Sequence, residues 1–149
     1  MKKRIIYGLL LILAIVVFDQ STKYLARTNI EQFETIAVIP FVNLVHVQNE
    51  GSAFGMFRRL GNTFFILISI AAIVFMVWII VTGKEDYRLF SILAGGALGN
   101  LTDRIMLGHV VDFIDITVSG FHWPAFNVAD SALTVGIFFL LLRMLRKGN

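Results

Sequence analysis

The 149-residue chain contains no cysteine, only two prolines and few charged residues, which make up 15% of the total. The absence of cysteine excludes disulfide bonds, zinc–thiolate sites and a cysteine nucleophile. The scarcity of charge, the 57% share of hydrophobic residues and a mean hydropathy of +0.79 are unusual for a soluble domain of this size. We therefore expect one small domain that lies in a bilayer.

The basic residues lie at the ends of apolar segments, and the net charge is only +3. They form no continuous basic stripe of the kind that binds nucleic acid, so no nucleic-acid partner is expected. The sequence also shows no repeat of fixed period and no low-complexity segment. The alternation of apolar and polar segments is therefore the main guide to the fold.

Four apolar segments predict helices, with two polar stretches as outer loops. The helices are expected at about residues 5–26, 63–81, 89–105 and 128–145, and the outer loops at 27–62 and 106–127. The first segment follows three basic residues, as in a secretory signal peptide, but no small-x-small cleavage site comes after it. We favour an uncleaved first membrane helix. The density of basic residues near both termini favours a cytoplasmic location for them.

The first outer loop contains two kinds of segment. Thr35–Val47 is rich in β-branched residues and is broken by Pro40, which predicts short strands. Phe54–Leu60 combines apolar and basic residues, which predicts a segment in the membrane interface. Between them, Asn49 is either a turn residue or a binding residue. In the third helix, a small-xxx-small pair of glycines, Gly95 and Gly99, predicts a close helix contact.

Two aspartates bound the stretch Val110–Asp130, an aromatic segment that glycine and proline interrupt. Carboxylates so close to hydrocarbon are costly, which makes Asp112 and Asp130 functional candidates. If they converge, they could share one proton and activate a water molecule. The alternative is ordinary loop solvation plus a helix cap, since Asn127 and Asp130 have the spacing of a capping box.

Other polar residues are expected at the same membrane boundary. Asp19 and Lys23 are four residues apart on one helix face; we favour a helix-end ion pair for Lys23 and a role in the site for Asp19. Asn100, Asp103 and Arg104 also share a face, and the alternative there is a polar helix end with an internal Asp–Arg pair. Independent caps and loops would not require this convergence, which therefore favours a functional site.

Five motifs together resemble the lipoprotein signal peptidases (signal peptidase II) of bacteria. They are DQSTK at 19–23, QNEGSAF at 48–54, GGALGNLTDR at 95–104, VVDF at 110–113 and FNVAD at 126–130. The resemblance implies four membrane helices with a small extracytoplasmic β-cradle and an interfacial helix. It also implies an aspartic intramembrane peptidase of the bacterial inner membrane. Such an enzyme removes the signal peptide from a diacylglyceryl-modified prolipoprotein, cutting just before the lipidated cysteine.

By the same resemblance, Asp112 and Asp130 are the catalytic residues. The residues expected to support the site or bind substrate are Asp19, Lys23, Asn49, Gly51, Asn100, Asp103, Arg104 and Asn127. No metal or other cofactor is implied. The expected partners are the lipid-modified prolipoprotein and membrane lipid, and inhibitors of the family such as globomycin are expected to bind.

Two other classes of function are alternatives to a peptidase. A metal-dependent lipid headgroup transferase could hold magnesium with Asp112, Asp115 and the nearby His109, although such sites usually collect more carboxylates. Otherwise His109 and His122 are ordinary interfacial residues and Asp115 is solvated. A membrane scaffold or transport subunit would place ionisable residues near the bilayer midplane, where the four predicted helices have none.

The local sequence also predicts which aspartate carries the shared proton. Asp130 lies in the first turn of a predicted helix, where unpaired backbone N–H groups and the helix dipole favour a negative charge. Asp112 lies in an extended or loop segment with apolar neighbours, so desolvation and a nearby ionised carboxylate should raise its pKa. We expect Asp112 to be the protonated partner.

Overall fold

The computed structural model describes residues 2–51 and 61–147 of the chain. Within these residues, four helices and one antiparallel sheet are formed. The helices are α1 (Lys2–Asn29), α2 (Gly61–Thr82), α3 (Tyr87–Met106) and α4 (Val128–Lys147); the strands are β1 (Thr35–Ile39), β2 (Val42–Asn49), β3 (Val110–Val118) and β4 (Phe121–His122). The mainly helical fold with a small sheet agrees with the prediction. The interfacial segment predicted at 54–60 lies outside the described residues.

Helices α1, α2 and α4 are long and apolar enough to cross a bilayer. Their most apolar windows have mean hydropathies of 2.0, 3.1 and 1.8, and only 11% of each window is buried inside the protein. The rest of each window is exposed or half-buried, as expected for helices that contact lipid. Helix α3 differs because it packs against all three other helices, and more than half of its residues are buried. It is the central helix of the bundle.

Glycines on α3 allow its neighbours to approach closely, as the small-residue pattern predicts. A methyl group at Gly95 would lie 3.0 Å from the Cβ of Ile15 on α1. At Gly99 it would lie 2.6 Å from the carboxylate of Asp19 and 3.2 Å from the Cβ of Ala129 on α4. Side chains at these positions would separate the helices. The glycines therefore bring the polar ends of α1, α3 and α4 together.

The sheet has the strand order β1-β2-β3-β4. Strands β1 and β2 form a hairpin that turns at Pro40 and Phe41, in agreement with the predicted break; proline suits a turn because it has no N–H to donate to a ladder. Strand β2 continues alongside β3, where Val47 is opposite Asp112 and Asn49 is opposite Val110. This second pairing joins the two outer loops and was not predicted.

At the other end of the bundle, side chains clamp the short loop between α2 and α3. Gly83 ends α2 in a left-handed conformation with φ of 70°, and its N–H donates to the carbonyl of Ile79 at 2.9 Å. Arg4 of α1 donates to the carbonyl of Val81 at 2.9 Å, and Arg143 of α4 pairs with Glu85 at 3.2 Å. Arg4 thus fixes α1 to the end of α2, and Arg143 fixes α4 to the loop that follows.

Candidate active site

The pairing of β2 with β3 brings Asn49 to Asp112. The Nδ2 of Asn49 donates to Oδ2 of Asp112 at 2.8 Å. The orientation of the Asn49 amide is set by Gly51, whose backbone N–H donates to Oδ1 of Asn49 at 2.9 Å. Gly51 has a φ of 107°, and the ring of Phe65 on α2 occupies the space that a side chain would need. Glycine is therefore required here by both conformation and packing.

Asn127 and Asp130 form the capping box that the sequence predicts. The Oδ1 of Asn127 accepts from the N–H of Asp130 at 2.9 Å, and the N–H of Asn127 donates to Oδ2 of Asp130 at 3.3 Å. These bonds satisfy donors that the first turn of a helix leaves unpaired. The cap also fixes the Asp130 carboxylate at the outer end of α4.

The same asparagine connects the two aspartates, so the cap and the site are one structure. The Nδ2 of Asn127 donates to Oδ1 of Asp112 at 2.7 Å and to Oδ1 of Asn100 at 3.2 Å. Asn100 in turn donates from Nδ2 to Oδ1 of Asp130 at 2.7 Å. Two side-chain amides therefore link the carboxylates of Asp112 and Asp130, which come from different elements of the chain.

A buried ion cluster lies beneath this pair. Lys23 is 2% exposed, and its ammonium lies 2.9 Å from Asp19 and 3.0 Å from Asp103. The Asp19–Lys23 ion pair predicted from the helical spacing is thus confirmed. Gln20, which we did not single out, donates from Nε2 to Asp103 at 2.8 Å and to Asp19 at 3.2 Å.

The two acids of this cluster also hold the elements that carry the aspartate pair. Asp19 accepts from the backbone N–H of Ala129 at 2.8 Å, in the first turn of α4. Asp103 accepts from the backbone N–H of Val111 at 3.0 Å, next to Asp112 in β3. Each acid therefore has partners in the ion cluster and on the backbone beside one of the two aspartates.

Burial controls the protonation of Asp112, which is 1% exposed. Loss of hydration disfavours its charged form and is the main reason that the pKa of Asp112 is raised to about 7; the negative charge of Asp130 contributes to the same rise. Hydrogen bonds from Asn49 and Asn127 and the positive charge of Lys23 act in the opposite direction. Asp112 is therefore able to exchange a proton near neutral pH.

A cavity of about 800 Å³ borders Asp130, which is within the range of roughly 300–1,000 Å³ that is usual for ligand sites. Phe121 and Trp123, at the end of the β3–β4 hairpin, form one wall. Thr134 and Val135 of α4 form part of another. Both residues lie on the exposed surface of a helix that is apolar enough to cross a bilayer. The cavity thus joins Asp130 to the surface of α4 that faces lipid.

Arg104 lies beside the pair and has an aromatic partner. Its guanidinium is 5.2 Å from the centre of the Phe65 ring on α2, and its backbone carbonyl accepts from Asn62 at 2.9 Å. Asn100 and Asp103 share its helix face as predicted, but they contact the interior network. Phe65 was missed because nothing distinguishes it from the other apolar residues of α2, whereas Gln20 adjoins Asp19 and could have been included as a polar neighbour.

The expectation that Asp115 is solvated is wrong. Asp115 is 6% exposed and accepts from Asn43 at 2.7 Å and Thr117 at 2.9 Å, with Nδ1 of His122 at 3.0 Å. Burial alone would raise its pKa, but the hydrogen bonds from Asn43, His122 and Thr117 hold the pKa of Asp115 below its ordinary value. Pairing across the sheet removes Asp115 from water, and this cluster fastens the β3–β4 hairpin.

The magnesium alternative requires Asp112 and Asp115 to act together. Their carboxylates instead have separate partners, which are Asn49 and Asn127 for the first and Asn43, Thr117 and His122 for the second. Across residues 2–51 and 61–147, no group of three or more histidine, aspartate or glutamate side chains is arranged to hold a metal ion.

Comparison with known proteins agrees with this architecture. A sequence model of the signal peptidase (SPase) II family matches residues 11–146. The chain belongs to this family. A lipoprotein signal peptidase of Thermodesulfovibrio yellowstonii is 43% identical over 136 residues, covering 91% of this chain and 92% of the relative. One from Staphylococcus aureus is 38% identical over 154 residues, covering 98% and 93%.

Solved structures show the same likeness. A bacterial membrane enzyme determined by the in meso method at 2.3 Å resolution superposes with a TM-score of 0.86 at 35% identity, covering 96% of this chain and 90% of that one. A second, at 1.9 Å resolution, gives a TM-score of 0.83 at 36% identity, with 93% and 92% covered. Together with the membrane helices, membership of the signal peptidase II family supports a peptidase of the bacterial inner membrane that takes part in lipoprotein processing.

Replacing Asn49 by alanine should raise the pKa of Asp112 above about 7, because the lost hydrogen bond stabilises the charged carboxylate. The matched control is Asn43→Ala on the same strand, since Asn43 donates to Asp115 instead. Carboxyl-carbon NMR titration of aspartate-labelled protein in detergent would measure both variants. An unchanged or lowered pKa of Asp112 in Asn49→Ala would contradict this account of its environment.

Proposed function

We propose that the protein is an intramembrane aspartic endopeptidase. Its substrate would be a diacylglyceryl-modified prolipoprotein, from which it removes the signal peptide by cutting just before the lipidated cysteine. The observation that carries this proposal is the amide-linked pair Asp112 and Asp130 beside an apolar cavity. Membership of the signal peptidase II family supports the class of substrate.

The two carboxyl groups have environments suited to different roles. Asp130 accepts a backbone N–H at the start of α4, where the helix dipole favours a negative charge. Asp112 is buried in β3, and its burial, together with the negative charge of Asp130, raises its pKa to about 7. In the proposed resting state Asp112 is protonated and Asp130 is ionised. The pair titrates together, so each pKa depends on the other group.

In the proposed reaction, a water molecule lies between the two carboxyl groups. Asp130 takes a proton from this water as the oxygen attacks the carbonyl carbon before the lipidated cysteine. Asp112 donates a hydrogen bond to the carbonyl oxygen as negative charge develops on it. When the C–N bond breaks, the proton held by Asp130 passes to the leaving nitrogen. No metal is required for these steps.

The surrounding side-chain amides would hold the two carboxyl groups in a fixed position relative to each other. Asn127 holds both aspartates, and Asn49 and Asn100 each hold one. Arg104 and Gly51 contribute through Phe65, against which both of them pack. Substrate, and inhibitors of the globomycin type, would occupy the cavity beside Asp130.

We propose that the site lies at the outer membrane face. We infer that α3 also crosses the bilayer, because it packs along the three apolar helices. Four crossings put both termini and the α2–α3 loop on one side, and the dense basic residues there favour the cytoplasm. They are Lys2, Lys3, Arg4, Lys84, Arg88, Arg143, Arg146 and Lys147. The acyl chains of the substrate would stay in the bilayer while its peptide bond reaches the surface.

One assay tests the proposal directly. Purified protein is incubated with a lipidated prolipoprotein, and mass spectrometry follows the shortened product and the released signal peptide. We expect one cut, immediately before the modified cysteine, and the same rate in excess chelator. Absence of cleavage would reject the peptidase, and loss of activity in chelator would favour the metal-dependent alternative.

Asp112→Asn and Asp130→Asn should each abolish detectable cleavage while the protein remains folded and inserted. An amide cannot take the proton of the water or share a proton with its partner, and general acid–base catalysis typically contributes about 10²–10⁴-fold. Asp86→Asn is the control and should retain activity, because Asp86 caps α3 at the opposite end of the bundle and asparagine is an equally good cap. Substantial turnover by either of the first two variants would refute the dyad.

A precursor without the diacylglyceryl group should be a poor substrate. The cavity beside Asp130 is apolar and follows the lipid-facing surface of α4, so acyl chains are expected to help place the peptide. The comparison uses one prolipoprotein, with and without the lipid, at equal concentration in the same detergent or bilayer. Equal kcat/KM for the two forms would show that the lipid contributes nothing to recognition.

A further inference from the structure

Lys23 uses all three of its N–H groups inside the protein. In addition to the bonds to Asp19 and Asp103, its ammonium donates to Oδ1 of Asn100 at 2.8 Å. An ammonium has only three protons to donate, and Lys23 is 2% exposed. Lys23 therefore has no donor left for a substrate. Among the described residues, Asn100 is the one hydrogen-bond partner of Lys23 that also bonds to a side chain of the aspartate pair.

That contact decides which way the Asn100 amide faces. With Oδ1 of Asn100 accepting from Lys23 and from Asn127, its Nδ2 is directed to Oδ1 of Asp130 at 2.7 Å. Rotating the amide by 180° would bring its NH₂ group to the ammonium and to the NH₂ of Asn127, and would turn an oxygen toward the Asp130 carboxylate. All three contacts would then be repulsive.

We propose that Lys23 is a positioning residue for Asp130 that acts through the side-chain amide of Asn100. The inference rests on the proposed function, which gives Asp130 the role of base. Because the ammonium forces one amide orientation, Asp130 always receives a donor on Oδ1. The carboxylate is thereby held in place before substrate arrives.

The ion cluster explains how a buried lysine can serve this purpose. A buried charge is tolerated only when it is paired and its hydrogen bonds are complete. Asp19 and Asp103 supply the pairing, and each is also anchored by a backbone N–H, from Ala129 in α4 and Val111 in β3 respectively. The ammonium therefore cannot move independently of the elements that carry the site.

The pH dependence of activity reflects the charges on all of the elements that pack around Lys23 and the aspartate pair. Lys23 is faced by Asp19 from its own helix and by Asp103 from α3, while Asp130 lies on α4 and Asp112 on β3. On α3, Arg104 adds a second positive charge near the pair. The charge of Lys23 opposes the larger effects that raise the pKa of Asp112, which are its burial and Asp130. Removing the ammonium alone should therefore move the pH–activity profile to higher pH.

Lys23→Met alone would leave two buried carboxylates without their cation, a change that is strongly destabilising in general. The main variant is therefore Lys23→Met combined with Asp103→Asn, which keeps the formal charge of the cluster and removes the donor to Asn100. We expect kcat to fall on the order of 10-fold to 100-fold, with KM nearly unchanged. A loss of this size is typical when a residue that orients a metal ligand, without binding the metal itself, is replaced. Lys84→Met, at the opposite end of the bundle, is the control and should keep full activity.

A mutant cycle separates positioning from a merely structural role. If Lys23 acts through Asn100, adding Lys23→Met and Asp103→Asn to an Asn100→Ala protein should lower kcat little further. The amide whose orientation Lys23 controls is already absent from that protein. An equal fall in kcat in both backgrounds, or no fall in the native background, would overturn the proposal. Thermal unfolding in detergent confirms that each variant is folded.

One measurement on the unmodified protein needs neither activity nor a variant. In labelled protein, the Asn100 side-chain NH₂ protons should show nuclear Overhauser contacts to the Asp130 side chain. Contacts to the end of the Lys23 side chain instead would mean that the amide has the opposite orientation, and the inference would fail. An inactive wild-type protein would reject the proposed function, while this measurement would still decide the role of Lys23.

Discussion

The side-chain amide of Asn127 joins three elements that are far apart in sequence, and both aspartates of the site depend on it. It caps α4 through the N–H of Asp130, donates to Asp112 in β3 and donates to Asn100 in α3. An apolar residue at 127 would remove the cap of α4 and one of the two side-chain donors to the buried Asp112 carboxylate, a loss that destabilises more than that of a surface hydrogen bond. The requirements of folding and of the proposed chemistry are therefore met by the same bonds.

Two clusters of ionisable side chains lie next to each other at one end of the bundle, and burial has a different consequence in each of them. The lower cluster keeps its charges because Lys23 lies between Asp19 and Asp103 with every ammonium proton bonded. Among the described residues, the hydrogen bonds to the upper pair come from amide N–H groups, and no cation is in direct contact with it. Burial and like charge then raise the pKa of Asp112 to about 7. The ion cluster, with its charges paired, thus supports a pair in which burial favours the neutral form of Asp112.

Local patterns predicted much of this arrangement. The length of the apolar segments predicted the helices, and Pro40 predicted the break between the two strands of the hairpin. The spacing of residues along a helix predicted the Asp19–Lys23 ion pair and the cap of α4. The pairing of β2 with β3 could not be read locally, because strand register depends on tertiary contacts; for the same reason Asp115 was wrongly expected in water. The motif resemblance supplied the candidate site residues, but which atom of each amide faces which carboxylate required coordinates.

In the proposed mechanism Asp112 and Asp130 share one proton, which Asp112 carries in the resting protein near neutral pH. Infrared difference spectra of protein with isotope-labelled aspartate carboxyl groups test it most directly, because a protonated carboxyl absorbs apart from carboxylates. The account predicts one protonated aspartate signal that disappears in Asp112→Asn. If that signal survives in Asp112→Asn and vanishes in Asp130→Asn, the proton is on the other residue and the account of the pair is wrong.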